Sequence, residues 1–548
     1  MKKQRYIILS YLMVLLISGP LYSQYPIYRI FPSSINQIEP LIVKHPANPL
    51  ILFASSFTLN LSNLIRNEGC YLSTNGGANW FGYDIINDGF SSFHNGDPGP
   101  CIGTDGTLII SHFHSFSAQS NRTYSSYSTN WGANWSSPIS CFNTTNEQLK
   151  SSISIDDVSS STYYGRVYNA TTMVTTPYVI IFSYTTNNGQ NWQFPVPQIN
   201  NSLSGRNSNG PNVAVGEQGQ VYIAWASSKN TSPFNELGIG FAKSTNGGLN
   251  WNVNETIYNC NGIFTSQLAP WNIRVNSYPL IDVDKSGGPR NGWIYSVTCE
   301  KNFSPAGSDP DVILHRSTDG GSNWSSGIRV NQDAFNNGKI QYFPAIDVDA
   351  NGGINIIYYD TRNTTTNDSV QVYLSRSQDG GNTWRDYLIA VEKFYPQPVA
   401  LGGTGNQGDN IDILSANGKL YPVWMAKYPG QTVYQIWSAI VDINSVGVRK
   451  LESEIPNKFE LSQNYPNPFN PVTKINFSLP DNGYAVMKIY DIRGTEIAAP
   501  VKEELASGKY EINFNASGLA SGTYFYKLEL ISKNGVKFSQ TKKLVVLK

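Results

Sequence analysis

Apolar and polar positions alternate in short runs along most of this chain, and the runs come in a repeating order. Val179-Ile-Ile-Phe-Ser-Tyr184 and Val370-Gln-Val-Tyr-Leu-Ser-Arg376 are strand-length apolar runs that each lead into a polar turn. Upstream of such runs lie paired segments, Pro211–Val215 with Val221–Trp225 and Pro344–Asp349 with Ile354–Tyr359. Gly-containing turns such as Glu217-Gln-Gly219 join the pairs. Alternation of period two, bounded by Gly, Asn and Asp, predicts β-strands and hairpins. Proline opening the first strand of a pair removes no ladder bond. This front hairpin recurs near Pro40, Pro100, Ser152, Pro211, Pro279, Pro344 and Asp409, which predicts seven units.

A second signal runs in phase with the first. Ser73–Trp80 (STNGGANW) recurs at Ser128–Trp135, Thr185–Trp192, Ser244–Trp251, Ser317–Trp324 and Ser377–Trp384, with starts 55, 57, 59, 73 and 60 residues apart. The third position is Asn75, Asn130, Asn187, Asn246, Asp319 or Asp379, a side chain that can hydrogen-bond its own turn. Glycine at the fifth position supplies a backbone angle that a side chain forbids. The closing Trp80, Trp135, Trp192, Trp251, Trp324 and Trp384 each offer a large ring to bury. These residues read as scaffold.

The motif resembles the Asp box, S-x-D-x-G-x-x-W, of sialidase-like β-propellers (BNR repeats), over residues 25 to 442. The resemblance implies a four-stranded blade per unit: two hairpin strands, a third, the box, and an outer strand. The count favours seven blades. Six is the alternative, because sialidases have six and the third unit is irregular. The seventh unit lacks a box and an outer strand. Tyr28-Arg29-Ile30 matches Ile273-Arg274-Val275 and Ile328-Arg329-Val330, which each precede a front hairpin. The amino-terminal stretch is therefore expected to supply the missing strand and close the ring, which removes a sheet edge.

Composition narrows the function. Lys+Arg and Asp+Glu both number 39, so no basic footprint for nucleic acid exists. Lys2, Lys3 and Arg5 precede a 13-residue apolar run, Tyr6–Ser18, too short to span a bilayer. Residues 1–23 read as a signal peptide. No transmembrane segment is expected in the mature chain, and the protein is expected to be a monomer. The five cysteines, Cys70, Cys101, Cys141, Cys260 and Cys299, are widely spaced and form no C-x-x-C pair. One or two disulfides fit that spacing, but no disulfide framework does.

After Asp442 the pattern stops. Residues 443–458 are polar and irregular and read as a linker. Residues 459–548 carry short alternating strands that predict a small Ig-like β-sandwich. This segment resembles the type A sorting domain of type IX secretion substrates. The matching pieces are Tyr465-Pro466-Asn467-Pro468-Phe469-Asn470-Pro471, Ile489–Gly494, Leu519–Tyr526 around Gly522, and the Lys-containing apolar tail. The resemblance implies passage through the type IX machinery, removal of the domain, and release or attachment at the outer-membrane surface.

Candidate chemistry is sparse. A sialidase holds its substrate carboxylate with three arginines and uses a Tyr–Glu nucleophile and an Asp acid/base. The family's first Arg stands two residues before a strand-opening Pro, where this chain has Ile38, Pro98, Asn209, Ser277 and Tyr342. Arg29, Arg274 and Arg329 share another slot, expected on the outermost strand. Tyr359, Asp360 and Arg362 end one strand, and Glu300 ends another; these four are the candidate catalytic residues. His112 and His114 share a strand face and are expected to be exposed. Asp347–Gly352 mimics a calcium loop but has Tyr358 at its twelfth position. No cofactor or metal is expected. The reading is a secreted or cell-surface propeller that binds a glycan or extracellular polymer. A sialidase-like, exo-acting glycoside hydrolase is the alternative.

Overall fold

The structure, a computed structural model, describes residues 25–89, 94–115, 121–399, 405–443, 449–452, 456–470, 472–505, 507–516, 519–532, 535 and 537–547. The signal peptide and Pro471 lie outside these residues, as does part of the linker. The regular elements are β-strands, paired antiparallel in every sheet.

Among the described residues, 25–443 form seven sheets of three to five strands and one separate two-stranded hairpin. Their inner strands are Asn36–His45, Gly99–Ile102, Gln148–Ile155, Arg206–Val215, Leu280–Val283, Gln341–Val348 and Asp412–Ala416. Each inner strand touches the next, and the seventh touches the first, so the sheets form a closed cycle. Side chains staple these junctions. Ser152 Oγ accepts from Val213 N at 3.1 Å and Asn212 Oδ1 from Ile281 N at 2.8 Å. Asp282 Oδ2 accepts from Val348 N at 2.6 Å, and Asp412 Oδ2 closes seventh to first through Ile42 N at 2.9 Å.

The amino-terminal strand Ile27–Arg29 is the outer strand of the seventh sheet. It pairs with Trp437–Ala439, as the repeat pattern led us to expect. The third sheet has three strands, and beyond them Tyr184 makes a single bridge to Gln193. One expectation fails. Ile273–Val275 is not an outer strand: the fourth sheet ends with Asn252–Asn259, and Ile273–Val275 instead pairs with Thr265–Leu268 in a separate hairpin. That insertion accounts for the long 73-residue interval between boxes.

The apolar core lies between sheets. Phe53 and Leu72 of the first sheet pack with Ile102 and Ile110 of the second, and Ile180 and Phe182 of the third pack with Val213 and Ile223 of the fourth. All six box turns are built alike. In the fifth sheet Gly321 N donates to Ser317 Oγ at 2.8 Å, and Asn323 N donates to Asp319 Oδ1 at 2.8 Å. Each closing tryptophan leans on the preceding sheet: Trp251 meets Phe182 edge-on at 4.8 Å and Trp324 meets Phe241 at 5.4 Å. Gly321 has φ +92, and a Cβ there would sit 2.3 Å from Phe241 Cε1, so both backbone and neighbour require glycine.

From residue 449 onward two four-stranded sheets share one core, including Ile475, Phe477, Met487, Ile489, Leu528 and Leu544. Arg449–Glu452, within the stretch read as linker, pairs with Lys509–Glu511, since an edge strand needs only backbone bonds. Phe469 is buried and locked to the last strand, its N–H donating to Val545 O at 3.0 Å, and Asn467 Oδ1 accepts from Val545 N at 2.9 Å. Tyr465 projects outward, 81% exposed. Gly494 sits in a turn at φ +80, and Gly522 opens a strand.

Candidate functional site

The entry of each inner strand presents one residue in a recurrent position. It is Glu39 in the first sheet, Lys150 in the third, Gly210 in the fourth and Phe343 in the sixth, each at a β-bulge. Asp97, Tyr278 and Asp409 stand just before the inner strands of the second, fifth and seventh. Glu39, Asp97, Lys150 and Phe343 hold φ of 56°, 53°, 46° and 50°. Left-handed backbone is uncommon for side-chain-bearing residues and is sustained here by the surrounding ladder.

The charged members meet. Lys150 Nζ donates to Asp97 Oδ1 at 2.7 Å and to Asn410 Oδ1 at 2.8 Å. Asn410 belongs to the seventh unit and Lys150 to the third, so this bond crosses the centre of the cycle. Glu39 Oε2 accepts from Asp97 N at 3.1 Å. Arg274, carried in by the inserted hairpin, grips Asp409 through two nitrogens at 3.1 and 2.7 Å. This corrects its expected place on an outer strand. Three carboxylates and two cations thus share the axial mouth, where Arg274 keeps 35% of its side chain exposed.

Their protonation is set by burial and by one another. Burial first, then Asp97, pushes the Glu39 carboxyl up to about 7, against the pull of Lys150. Burial opposes the charge on Lys150, yet Asp97, Asp409 and Glu39 more than offset it, and its pKa rises. Burial likewise works against ionised Asp409, but Arg274 and Lys150 hold its pKa below the usual value. The cluster therefore combines an acid that is half-protonated near neutrality with fixed charges. Such a set can exchange a proton or hold a hydroxyl-rich ligand by charge-assisted bonds.

The four candidate catalytic residues fall into three separate networks. Tyr359 is fully buried and donates to Met425 O at 2.6 Å. Asp360 and Arg362 pair with each other at 2.6 Å, and Arg362 also binds Asp386 and Tyr358 Oη. Glu300 accepts from Thr298 Oγ1 at 3.0 Å and lies 3.5 Å from His315. The Asp349 carboxylate of the calcium-like loop pairs with Arg376. The histidine expectation also fails: His94, His112 and His114 are buried together. The five thiols are buried and unpaired.

Sequence reasoning missed the axial cluster. The available signal was the residue directly before Pro40, Pro98, Pro211, Pro279 and Pro344, which is Glu39, Asp97, Gly210, Tyr278 and Phe343. Its chemistry varies from unit to unit, so the shared place is visible only once the sheets are arranged.

A family model of the secretion system C-terminal sorting domain matches residues 463–547. No curated protein sequence matches the chain. Among solved structures, the chain is similar to a protein of unknown function from Dyadobacter fermentans DSM 18053, at 10% identity over 77% of this chain and 99% of that one, TM-score 0.44. It is similar to a PL25 polysaccharide lyase, an ulvan lyase, at 11% identity over 75% and 94%, TM-score 0.46. It is also similar to an α-L-arabinofuranosidase from Fusarium graminearum, at 15% identity over 64% and 93%, TM-score 0.40. The sorting domain marks the protein for type IX secretion, and its destination is the cell surface or the extracellular space.

Proposed function

We propose that residues 25–442 are a seven-bladed Asp-box propeller that binds an extracellular glycan or similar hydroxyl-rich polymer at its axial mouth. Residues 459–548 are an Ig-like sorting domain that delivers it, joined through 443–458. The box residues serve as scaffold. The observation that supports this reading is the Lys150–Asn410 bond across the cycle, which gathers Glu39, Asp97, Asp409 and Arg274 at a single mouth. Carboxylates and guanidinium groups held in place take sugar hydroxyls or acidic substituents without reorganising. A glycan array probed with the purified propeller tests the idea. Selective binding that Arg274→Ala weakens at least tenfold supports it; binding indifferent to Arg274→Ala and Lys150→Met contradicts it.

A second reading, a sialidase-like exo-acting glycoside hydrolase, is favoured by one feature. Glu39, with its pKa near 7, sits beside Asp97, a pairing suited to acid–base catalysis. Arg274 and Lys150 are the cations at this mouth among the described residues, so a three-arginine carboxylate clamp is not assembled there. Turnover of a fluorogenic sialoside that disappears in Glu39→Gln would establish this reading over binding alone.

A further inference from the structure

Three histidines and two acids meet beside the axial mouth without exposure to solvent. His112 and His114 project from one face of the second-sheet strand Leu108–His114, and His94 enters from the preceding segment and bridges His114. One ring nitrogen of each lies within 4.8 Å of the others. The His94 ring stacks on His112 with centroids 3.9 Å apart. Asp88 Oδ2 lies 3.1 Å from His94 Nε2 and 3.8 Å from His112 Nε2. Glu68 Oε1 stands 3.9 Å from His94 Nδ1, and all five residues are buried. Among the described residues His94 Nδ1 has no hydrogen-bond partner, and the buried Glu68 carboxylate has no side-chain donor. A buried polar atom left in that state costs about 1–3 kcal/mol, so something is expected to satisfy these groups.

We propose that His94, His112 and His114 ligate a zinc-class divalent cation, with the Asp88 carboxylate completing or orienting the ligand set. Imidazole nitrogens select zinc and its first-row neighbours over calcium or magnesium, which take oxygen. Full burial fits a closed structural site with no open position for substrate. Metal–nitrogen bonds of about 2.0–2.1 Å place tetrahedral ligands about 3.3 Å apart, so the three rings draw together on the ion. Glu68 Oε1, on the Nδ1 side of His94, is placed to orient that ring, and the ion's charge offsets Asp88.

The site does more than fill a gap in the core. His94 and the axial Asp97 sit on one four-residue segment. Between them Asn95 N donates to Phe113 O at 3.0 Å, and Asn95 Oδ1 accepts from Arg66 Nη1 at 2.8 Å. The ion therefore pins the segment that offers Asp97 to Lys150. The histidines act as positioning residues for the mouth; the metal proposal itself stands whether the mouth binds or hydrolyses.

The test uses the full exported chain, purified without a histidine tag, with metal content measured after incubation with Zn²⁺ and, separately, Co²⁺ followed by dialysis. The expected result is about one ion per chain, tetrahedral cobalt absorption bands, and a lower melting temperature after chelation. His94→Gln and His114→Gln should each cut the bound ion at least tenfold, while His45→Gln, at the partly exposed end of the strand Asn36–His45, retains it. Wild-type protein that holds less than about a tenth of an ion per chain overturns the proposal, as does a cobalt spectrum that both variants leave unchanged. If the variants fail to fold, wild-type stoichiometry and the chelation response decide.

Discussion

At the residue scale the axial acids make the sharpest predictions. Glu39 has a higher pKa folded, about 7, than its ordinary 4.5. Between those values the folded chain binds more protons than the unfolded one, so the Glu39 contribution is fully present below about 4.5 and is lost as pH rises through 7. Glu39→Gln should remove that slope while keeping an acceptor for Asp97 N, and gain up to about 3 kcal/mol relative to wild type at alkaline pH. Denaturation midpoints of both proteins across this window check it; parallel curves would refute it. Lys150→Met should cost about 2–4 kcal/mol, because Asp97, Asp409 and Glu39 are left facing one another, as urea unfolding would show. The grouping of these residues was not legible in the sequence. Glu39, Asp97, Lys150 and Asp409 are separated by whole units, and Arg274 sits in a tripeptide that imitates Tyr28-Arg29-Ile30 and Ile328-Arg329-Val330. His94 joins His112 and His114 only through folding, and the period-two pattern of their own strand does not reveal that all three are buried.

At the element scale the box turn is the unit of construction. Its hydroxyl and its Asn or Asp each accept one backbone N–H, while its tryptophan bridges to the preceding sheet. Ser317→Ala should therefore cost about 1–2 kcal/mol, since it removes the bond accepted from Gly321 N and the one donated to Asp319. Trp324→Ala should cost about 3 kcal/mol, because it strips packing from Phe241. Chemical denaturation of the two variants separates these contributions; equal losses would mean that the tryptophan does not join sheets. Such turns were readable because their bonds are local, spanning two to four residues within one octapeptide. The third sheet's missing outer strand and the inserted hairpin were not, since strand patterns such as Ile273–Val275 carry no mark of the partner they will pair with.

At the scale of the whole molecule, closure depends on three residues at the start of the described chain. Removing residues 25–31 would strip Ile27–Arg29 from the seventh sheet and bare the edge at Gln435–Ala439. The truncated protein should melt several degrees lower and associate with rising concentration in sedimentation experiments, as unpaired edges do. Closure was legible from the repeat count, because a seventh unit without an outer strand needs one from elsewhere. The bonds that define the axis were not. The central claim is that seven sheets close around a charged centre, and Lys150 with Asn410 tests it across 260 residues of sequence. A double-mutant cycle of Lys150→Met and Asn410→Ala should give a coupling energy of about 1 kcal/mol or more. Strictly additive losses would mean that the two sides of the wheel do not meet.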